Sequence, residues 1–202
     1  MSSDSKNKKL IQDLFSLHNK IRQDPKSFIP KLKKELKNYD ELFWFKFGDK
    51  ENSLETSEGV DAVHDAIKYL EKLKPVKELI LKEELSEVAN DHAIDANENN
   101  LDNSIGSDRS SPIERIKDRF ETNLCGENME FNFETAEEIV YSIIVDDGYE
   151  NRDRRMNFFS PNYKFIGIGI SDHPDYINLC VLDYMGDFKS IKPKKEKKKQ
   201  GN

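Results

Sequence analysis

The chain has 202 residues, of which 36% are hydrophobic and 35% are charged. These values fit one polar globular domain with a single core, and they exclude a chain that is disordered throughout. No apolar run approaches the roughly 20 residues that a membrane helix needs. Residues 1–9 are polar and lack the apolar segment of a secretory signal. The sequence therefore predicts a cytoplasmic protein that is neither secreted nor membrane-spanning.

Cysteine usage and charge add two expectations. Cys125 and Cys180 could pair or could be two small core residues, and without an export signal we expect reduced thiols. The net charge is −7, but the tail Lys189–Asn202 holds seven lysines and one glutamate, which leaves −13 for the remainder. An acidic body with a short basic tail does not make a nucleic-acid groove.

The first half of the chain predicts helices. Apolar residues recur at helical spacing in four segments, which are Lys8–Arg22, Lys26–Tyr39, Gly59–Leu73 and Leu81–Asn97. Between the second and third of these lies an aromatic cluster, Leu42–Phe47, which contains Trp44. We interpret this cluster as a packed loop or short element, with an exposed docking patch as the alternative.

The second half of the chain adds two helices and two strands. Pro112 opens a short helix, because proline is favourable in a first turn, and Thr135–Val145 predicts a strongly apolar helix. Phe165–Ser171 alternates large apolar residues with glycine, which indicates a strand that another element approaches closely. Ile177–Tyr184 predicts a second strand, and residues 172–176 the turn of a hairpin. Helices followed by antiparallel strands favour the α+β class.

Several short motifs occur together in a fixed order. In chain order they are LHNKIRQDPKSFIP at Leu17–Pro30, the Leu-x-x-x-Ala-x-x-His-x-x-Asp pattern within Lys74–Asn97, IGSDRSSPIERI at Ile105–Ile116, CGENM at Cys125–Met129, IVDDGYENRDRRMNFF at Ile144–Phe159, and the pair of closing strands, Asn162–Gly169 with Leu179–Tyr184. In this order the chain resembles the CAP superfamily, the cysteine-rich secretory, antigen 5 and pathogenesis-related 1 (SCP) type. Any one motif alone is a weak signal, but six in order are strong.

This resemblance implies the fold and the domain bounds. It implies an α-β-α sandwich with a central antiparallel sheet flanked by helices. We expect a polar segment at 1–9, a CAP-like domain at 10–188 and a lysine-rich tail at 189–202.

The resemblance also places a degraded site. Metal-binding members hold zinc with two histidines and acidic residues in a shallow cleft, and those histidines fall on Ser104 and Arg154 in this chain. The acidic position survives as Glu127, which could pair with Arg154. Serine is a poor zinc ligand and arginine stays protonated, so we predict no metal, no cofactor and no enzyme activity. His92 is expected to be a buried, hydrogen-bonded structural residue.

Two charged segments are candidate interaction sites. Arg152, Asp153 and Arg155 lie beside Arg154 in a loop, where these residues can satisfy one another or can grip an acidic peptide or phosphate. The tail lysines at the candidate interaction positions are Lys194, Lys195, Lys197, Lys198 and Lys199. The tail could contact tubulin tails, anionic lipid, RNA or a nuclear import receptor, or it could be a solvated terminus.

The function predicted from these features is a non-catalytic structural or interaction subunit of a larger intracellular assembly, with the cytoskeleton or a cilium as its site. The alternative is a protein that binds lipid, sterol or another small ligand, in a groove lined by Leu42–Phe47 or by Phe158 and Phe159. The third reading, a hydrolase, lacks an evident general base.

Overall fold

A computed structural model describes residues 3–41, 43–48, 53–187 and 189–190. The helices are α1 (Ser3–Gln23), α2 (Ile29–Glu35), α3 (Val60–Lys72), α4 (Glu83–Asn99), α5 (Pro112–Arg119), α6 (Ala136–Val145) and α7 (Asp153–Phe159). The strands are β1 (Trp44–Phe45), β2 (Leu54–Glu55), β3 (Ile80–Leu81), β4 (Phe120–Glu121), β5 (Cys125–Phe131), β6 (Phe165–Asp172), β7 (Asn178–Met185) and β8 (Lys189–Ser190). Helices on both faces of a central sheet make this an α+β fold with α-β-α layers.

The central sheet has the strand order β3-β6-β7-β5. The three long strands are antiparallel, because β6 and β7 form the predicted hairpin and β5 lies on the far side of β7. The short edge strand β3 instead pairs with β6 in parallel. Two further pairs, β1 with β2 and β4 with β8, lie outside this sheet.

Alternate residues of β6 and β7 give the two faces of the sheet their different packing. On one face, Ile166, Ile168, Leu182 and Tyr184 join the larger core cluster, together with side chains of α1, α3 and α6. This alternation is the period-two pattern of a strand. The exposed polar start of α1 does not contribute to this core, and the buried positions of that helix begin at Leu10.

The opposite face of the sheet is nearly smooth where α4 packs on it. A Cβ atom at Gly167 would collide with the backbone of Leu85, and one at Gly169 with the backbone of Ala89. The glycines therefore let α4 lie directly on β6, as the alternation of glycine and large residues indicated. Ala89 and Ala93 complete this contact with Val181 of β7.

The structure differs from the sequence-based elements at several places. α1 begins at Ser3 rather than Lys8, because its first turns are polar and carry no apolar periodicity. The segment predicted as one helix from Lys26 is a 3-10 turn, α2 and a second 3-10 turn. β5 and α7 were not predicted, and Arg154 and Arg155, which were expected in a loop, lie in α7, with Arg152 just before it.

Two expectations from the composition can be compared with the structure. Cys125 and Cys180 are free thiols. Within the described residues, no helix is both long enough and apolar enough to span a membrane.

Candidate functional site

A cleft with two adjoining compartments lies beside β5, α6 and the β1–β2 pair. The polar cleft, about 480 Å³, is lined by Ser104, Glu127 and Arg154 among others. The aromatic pocket, about 430 Å³, is lined by Tyr39, Phe45, Phe47, Tyr141 and Val145 among others. Six residues border both compartments: Leu54, Glu55, Asn132, Phe133, Ser142 and Arg154. The three cleft residues that the resemblance selected therefore border the same cleft.

Glu127 projects from β5 toward α5, where Arg115 holds it. The Arg115 Nη2 atom lies 2.7 Å from Glu127 Oε2, and the Glu127 side chain is 2% exposed. Arg115 Nη1 donates to the carbonyls of Ser104 and Ser110, at 3.0 and 2.9 Å. One guanidinium therefore ties the loop that carries Ser104 to the carboxylate of the central sheet. Ser111 caps the start of α5 through a capping box with Glu114, which fixes the helix that presents Arg115.

Two further ionisable groups, Asp183 and His92, lie beside Glu127. Asp183 of β7 is directly opposite Glu127 in the ladder and is fully buried. Burial raises the pKa of both carboxyl groups, with Arg115 opposing the shift. Arg115 contacts Glu127 and acts on Asp183 through its charge alone, so burial favours the protonated form of this pair.

His92 of α4 completes the buried cluster. It is buried as predicted, with Nε2 4.0 Å from Glu127 Oε1, but its ring nitrogens make no hydrogen bond of normal length to the described residues. Burial and the Arg115 charge lower its pKa to about 4, against the opposing influence of Asp95 and the backbone of Asn103. His92 is therefore a neutral group near physiological pH.

Arg154 occupies the boundary between the two compartments. Its Nε donates to Asp146 at 2.7 Å and its Nη1 donates to Glu130 at 2.9 Å. Burial raises the pKa of Glu130 to about 7, although Arg154 and the hydroxyl of Ser142, which donates to Glu130 at 2.8 Å, act in the opposite direction. The floor of the cleft therefore contains a carboxyl group that titrates near neutrality, which sequence reasoning had not found.

Asp146 connects the end of α6 to the start of α7. It takes the left-handed conformation, φ 54°, just after α6, and its side chain is fully buried. One carboxylate oxygen accepts from Arg154 and the other from the backbone N–H of Arg155. Asp146 thus ends the apolar helix and positions the arginines of α7.

The expected partners of the arginines were wrong. Glu127 pairs with Arg115, and Arg154 does not pair with Glu127. The reason is the register of β5: Glu127 and Glu130 lie on opposite faces of the strand, so that only Glu130 faces α7.

The neighbouring charges also pair outside their own segment. Arg152 pairs with Glu58 and Asp65. Arg155 is 2% exposed and pairs with Asp65 of α3, while Asp153 is exposed at the start of α7. Because Arg155 is buried and Arg152 is bound to two carboxylates, these side chains hold α7 in place. They do not form an open surface for an acidic peptide or a phosphate.

The aromatic cluster is divided between core and surface. Phe45 stacks between Tyr39 and Tyr141, at centroid distances of 4.5 and 5.2 Å, and the hydroxyls of Tyr39 and Tyr141 are hydrogen-bonded at 3.2 Å. Trp44 is 39% exposed. Leu42 and Lys194, Lys195, Lys197, Lys198 and Lys199 of the tail lie outside the described residues. Phe158 and Phe159, the other predicted groove residues, are both buried, and Phe158 stacks on His18.

The groups in the polar cleft do not fit zinc. Zinc takes neutral imidazole, thiolate or free carboxylate ligands, whereas here Glu127 is bound to Arg115 and Arg154 brings a permanent positive charge. In the part of the chain that is described, no group of three or more histidine, cysteine or acidic side chains is arranged to hold a metal ion. That Ser104 and Arg154 stand at former ligand positions stays a prediction from the resemblance.

The site residues that sequence reasoning missed are mainly the partners. Arg115 lies inside the motif Ile105–Ile116. Its position in that motif could have marked it as a candidate site residue. Asp146 and Asp183 also lie inside quoted motifs, but Glu130 lies outside them. The contacts of these three residues could not be inferred, because they join β5, α7 and β7 across the fold.

Comparison with known proteins gave one family and several structures. The model of the cysteine-rich secretory protein family, CAP, matches residues 15–184. No curated protein sequence matches the chain.

Three solved structures are similar to this one. An extracellular SCP-domain protein of Bacillus anthracis has 16% identity and a TM-score of 0.46, with 55% of this chain and 35% of that chain covered. An outer surface protein of Borrelia burgdorferi has 18% identity and a TM-score of 0.47, with 61% and 87% covered. A cysteine-rich secretory protein of Staphylococcus aureus has 12% identity and a TM-score of 0.44, with 71% and 44% covered. This chain therefore spans less than half of two of these proteins.

The predicted cytoplasmic location, with the cytoskeleton or a cilium as its site, is wrong by this comparison. The similar structures belong to an extracellular protein, an outer surface protein and a secretory protein. The prediction rested on the polar character of residues 1–9, and that stretch includes the beginning of α1. Its polarity reflects an exposed helix and does not bear on where the protein resides.

Proposed function

This chain belongs to the CAP family, which in general is non-catalytic, and from that premise we propose that it is a non-catalytic protein that binds an apolar small molecule. The observation that carries the proposal is the aromatic pocket. It has about 430 Å³ of space between Tyr39, Phe45, Phe47 and Tyr141, which is in the range of pockets that enclose small ligands. Eight of its sixteen lining residues are aromatic or aliphatic, and apolar walls with placed polar groups are typical of such sites.

The junction with the polar cleft supports the same function. Glu55, Ser142 and Arg154 border both compartments, so a ligand can place its apolar body among the rings and its polar end at this junction. The rings are held rigidly, because Tyr39, Phe45 and Tyr141 stack on one another. A preformed pocket binds without paying to order its walls.

The test uses an uncharged probe and the single tryptophan of the chain. Trp44 adjoins Phe45 of the pocket wall, so decanol binding should change its fluorescence, and native mass spectrometry should show one bound molecule. Val145→Phe places a ring where Val145 lines the pocket, and we expect affinity to fall at least tenfold. Ile94→Phe, at a 41% exposed position of α4, should bind as the wild type does. Absence of decanol binding by both methods would contradict the proposal.

A protein-binding role is the second candidate, and the exposure of Phe43 and Trp44 favours it. These side chains are 51% and 39% exposed beside the pocket, and exposed aromatic groups are enriched at interfaces. The check is size fractionation of the protein from its source, with crosslinking mass spectrometry on the peak. Elution near 23.5 kDa with no crosslinked partner would remove this candidate and leave ligand binding.

The hydrolase reading has one observation in its favour and one against it. Ser142 donates a hydrogen bond to Glu130, whose pKa is raised by burial to about 7, and such a pair resembles a nucleophile and its base. Ser142, however, lies inside α6, where neighbouring backbone N–H groups form helical hydrogen bonds and cannot stabilise an oxyanion. A fluorophosphonate reagent should therefore leave Ser142 unlabelled.

A further inference from the structure

The charges around the two compartments are strongly unbalanced. The carboxyl groups that border the polar cleft or the aromatic pocket are Glu55, Asp102, Glu127, Glu130, Glu138 and Asp147. Two of them, Glu127 and Glu130, are bound to Arg115 and Arg154, so the excess of negative charge comes from the other four. Among the described lining residues, Arg154 is the only cationic side chain. A cleft lined by one sign of charge concentrates ligands of the opposite sign.

The positive charge of Arg154 is already offset. Asp146 and Glu130 accept from its Nε and Nη1 atoms, and the ring of Tyr149 lies 4.3 Å from its guanidinium carbon. An arginine that faces two carboxylates and an aromatic ring has little positive potential left for an incoming anion. A carboxylate or phosphate group is therefore a poor match for this site.

Glu55 lies at the mouth of the site, at the junction of the two compartments. It is exposed on β2 and borders both. Within the described residues its carboxylate has no ion pair or hydrogen bond, unlike Asp147, which accepts from the backbone N–H groups of Ser57 and Glu58. Glu55 is thus a free acceptor at the entrance.

The pocket wall already receives one ammonium group. Lys31 Nζ lies 4.4 Å from the centroid of the Phe47 ring, a cation–π geometry. Burial raises the pKa of Tyr39 to about 12, and the carboxylates of Asp147 and Glu35 add to that shift. The Phe47 ring thus accepts an ammonium group that Glu35 and Glu137 also bind, and Asp147 places a carboxylate in the pocket wall.

We infer that the ligand is an amphipathic amine: its apolar chain lies in the aromatic pocket and its protonated nitrogen faces Glu55 at the mouth. This inference rests on the proposed function and adds the chemical class of the ligand. It takes both of its premises from the site, namely the aromatic walls and the excess of carboxylates.

The experiment compares three probes with the same ten-carbon chain: decylamine, decanol and decanoate. Each is titrated into the full chain at pH 7.5 and low salt, with Trp44 fluorescence and isothermal calorimetry as readouts. We expect decylamine to bind at least tenfold more tightly than decanoate, with decanol between them. The advantage of the amine should shrink in high salt, because exposed charges are screened.

Matched charge reversals locate the nitrogen. Glu55→Lys should weaken decylamine binding at least fivefold and leave decanol binding unchanged. Glu71→Lys makes the same change of charge at an exposed position of α3 outside both compartments, and it should alter neither. Equal weakening by the two variants would overturn the placement at Glu55.

The three probes distinguish failure of the proposed function from failure of the inferred amine ligand. If none of the three binds, the proposed function fails. If decanol binds and decanoate equals or exceeds decylamine, the pocket stands and the inference of an amine is overturned.

Discussion

Arg115 and Arg119 lie one turn apart on α5, but their surroundings differ. Arg115 is bound to the buried Glu127 and to two loop carbonyls, while Arg119 pairs on the surface with Glu87 and Asp91. Removing one partner of a buried ion pair leaves an uncompensated charge, whereas exposed pairs contribute little.

Arg115→Met should therefore lower the free energy of unfolding by about 3 kcal/mol, and Arg119→Met by about 0.5 kcal/mol. Urea unfolding of the two variants beside the wild type measures both values. The reason for the difference is that, among the described residues, no other arginine or lysine pairs with Glu127, and the carboxylate stays buried when Arg115 is replaced. Similar losses for the two variants would show that Arg115 is not the partner on which Glu127 depends.

Glu130 makes the free energy of unfolding depend on pH. Its pKa is about 7 in the fold against an ordinary value of 4.5, so between these values the folded state keeps a proton that the unfolded chain has lost. This contribution to stability is fully present below pH 4.5 and is lost as the pH rises to about 7. His92, whose pKa is lowered by burial to about 4, acts with the opposite sign between pH 4 and 6.5, so total stability does not report on Glu130 alone.

The difference between wild type and Glu130→Gln isolates the carboxyl group. Relative to that variant, the wild type should lose about 3 kcal/mol of stability between pH 4.5 and 7, and the difference should level off above. Chemical unfolding at a series of pH values measures it. Glu150→Gln, at an exposed position, is the control and should follow the wild type. A constant difference across the series would contradict the raised pKa.

At the scale of elements, the contact between α4 and β6 depends on the two glycines of the strand. The backbone of α4 occupies the space where a Cβ of Gly167 or Gly169 would lie. Backbone cannot move aside as a flexible side chain can, so a methyl group must displace the whole helix.

Gly169→Ala should accordingly lower the free energy of unfolding by about 3 kcal/mol, the upper part of the range for overpacked cores. Ser171→Ala is the matched control two residues along the same strand, where a Cβ is already present, and it should change stability by less than about 0.5 kcal/mol. Differential scanning fluorimetry and urea unfolding both measure the effect. A neutral Gly169→Ala would mean that α4 does not lie as close to β6.

The elements that could be predicted from sequence are those with a clear apolar period. The stripe of α3 and the Gly-alternating β6 are examples, since both bury one regular face. β5 could not be predicted because it buries Asn128 and Glu130, which interrupt any apolar alternation. α7 was missed because its first turn is rich in arginine, whose partners lie in α3 and β5.

The cleft could likewise be predicted from the sequence only in part. Ser104, Glu127 and Arg154 could be grouped only through the resemblance, because nothing in their spacing places them together. Their pairing could not be predicted, since the face on which Glu127 or Glu130 points depends on the register of β5 against β7. Register follows from the packing of the whole sheet.

At the scale of the whole molecule, the question is where the folded unit ends. The buried side chains lie between Leu10 and Met185, and the last described contact of the chain is the short pairing of β8 with β4. Residues 191–202 carry six of the lysines and one glutamate. A boundary near residue 188 therefore remains our proposal for the domain.

A chain that ends at Ser190 should unfold within about 2 °C of the full chain, because terminal residues outside the core contribute little to stability. A chain that ends at Gly186 also loses the β8–β4 pairing, and its melting temperature should fall by about 3 °C.

Truncation at Ser190 changes the net charge from −7 to −12, because it removes a charge of +5. Thermal unfolding at low and high salt separates this general charge effect from lost contacts, since only the former is screened. A large fall for the Ser190 chain at both salt concentrations would place part of the lysine tail within the fold, and the domain would then extend beyond residue 190.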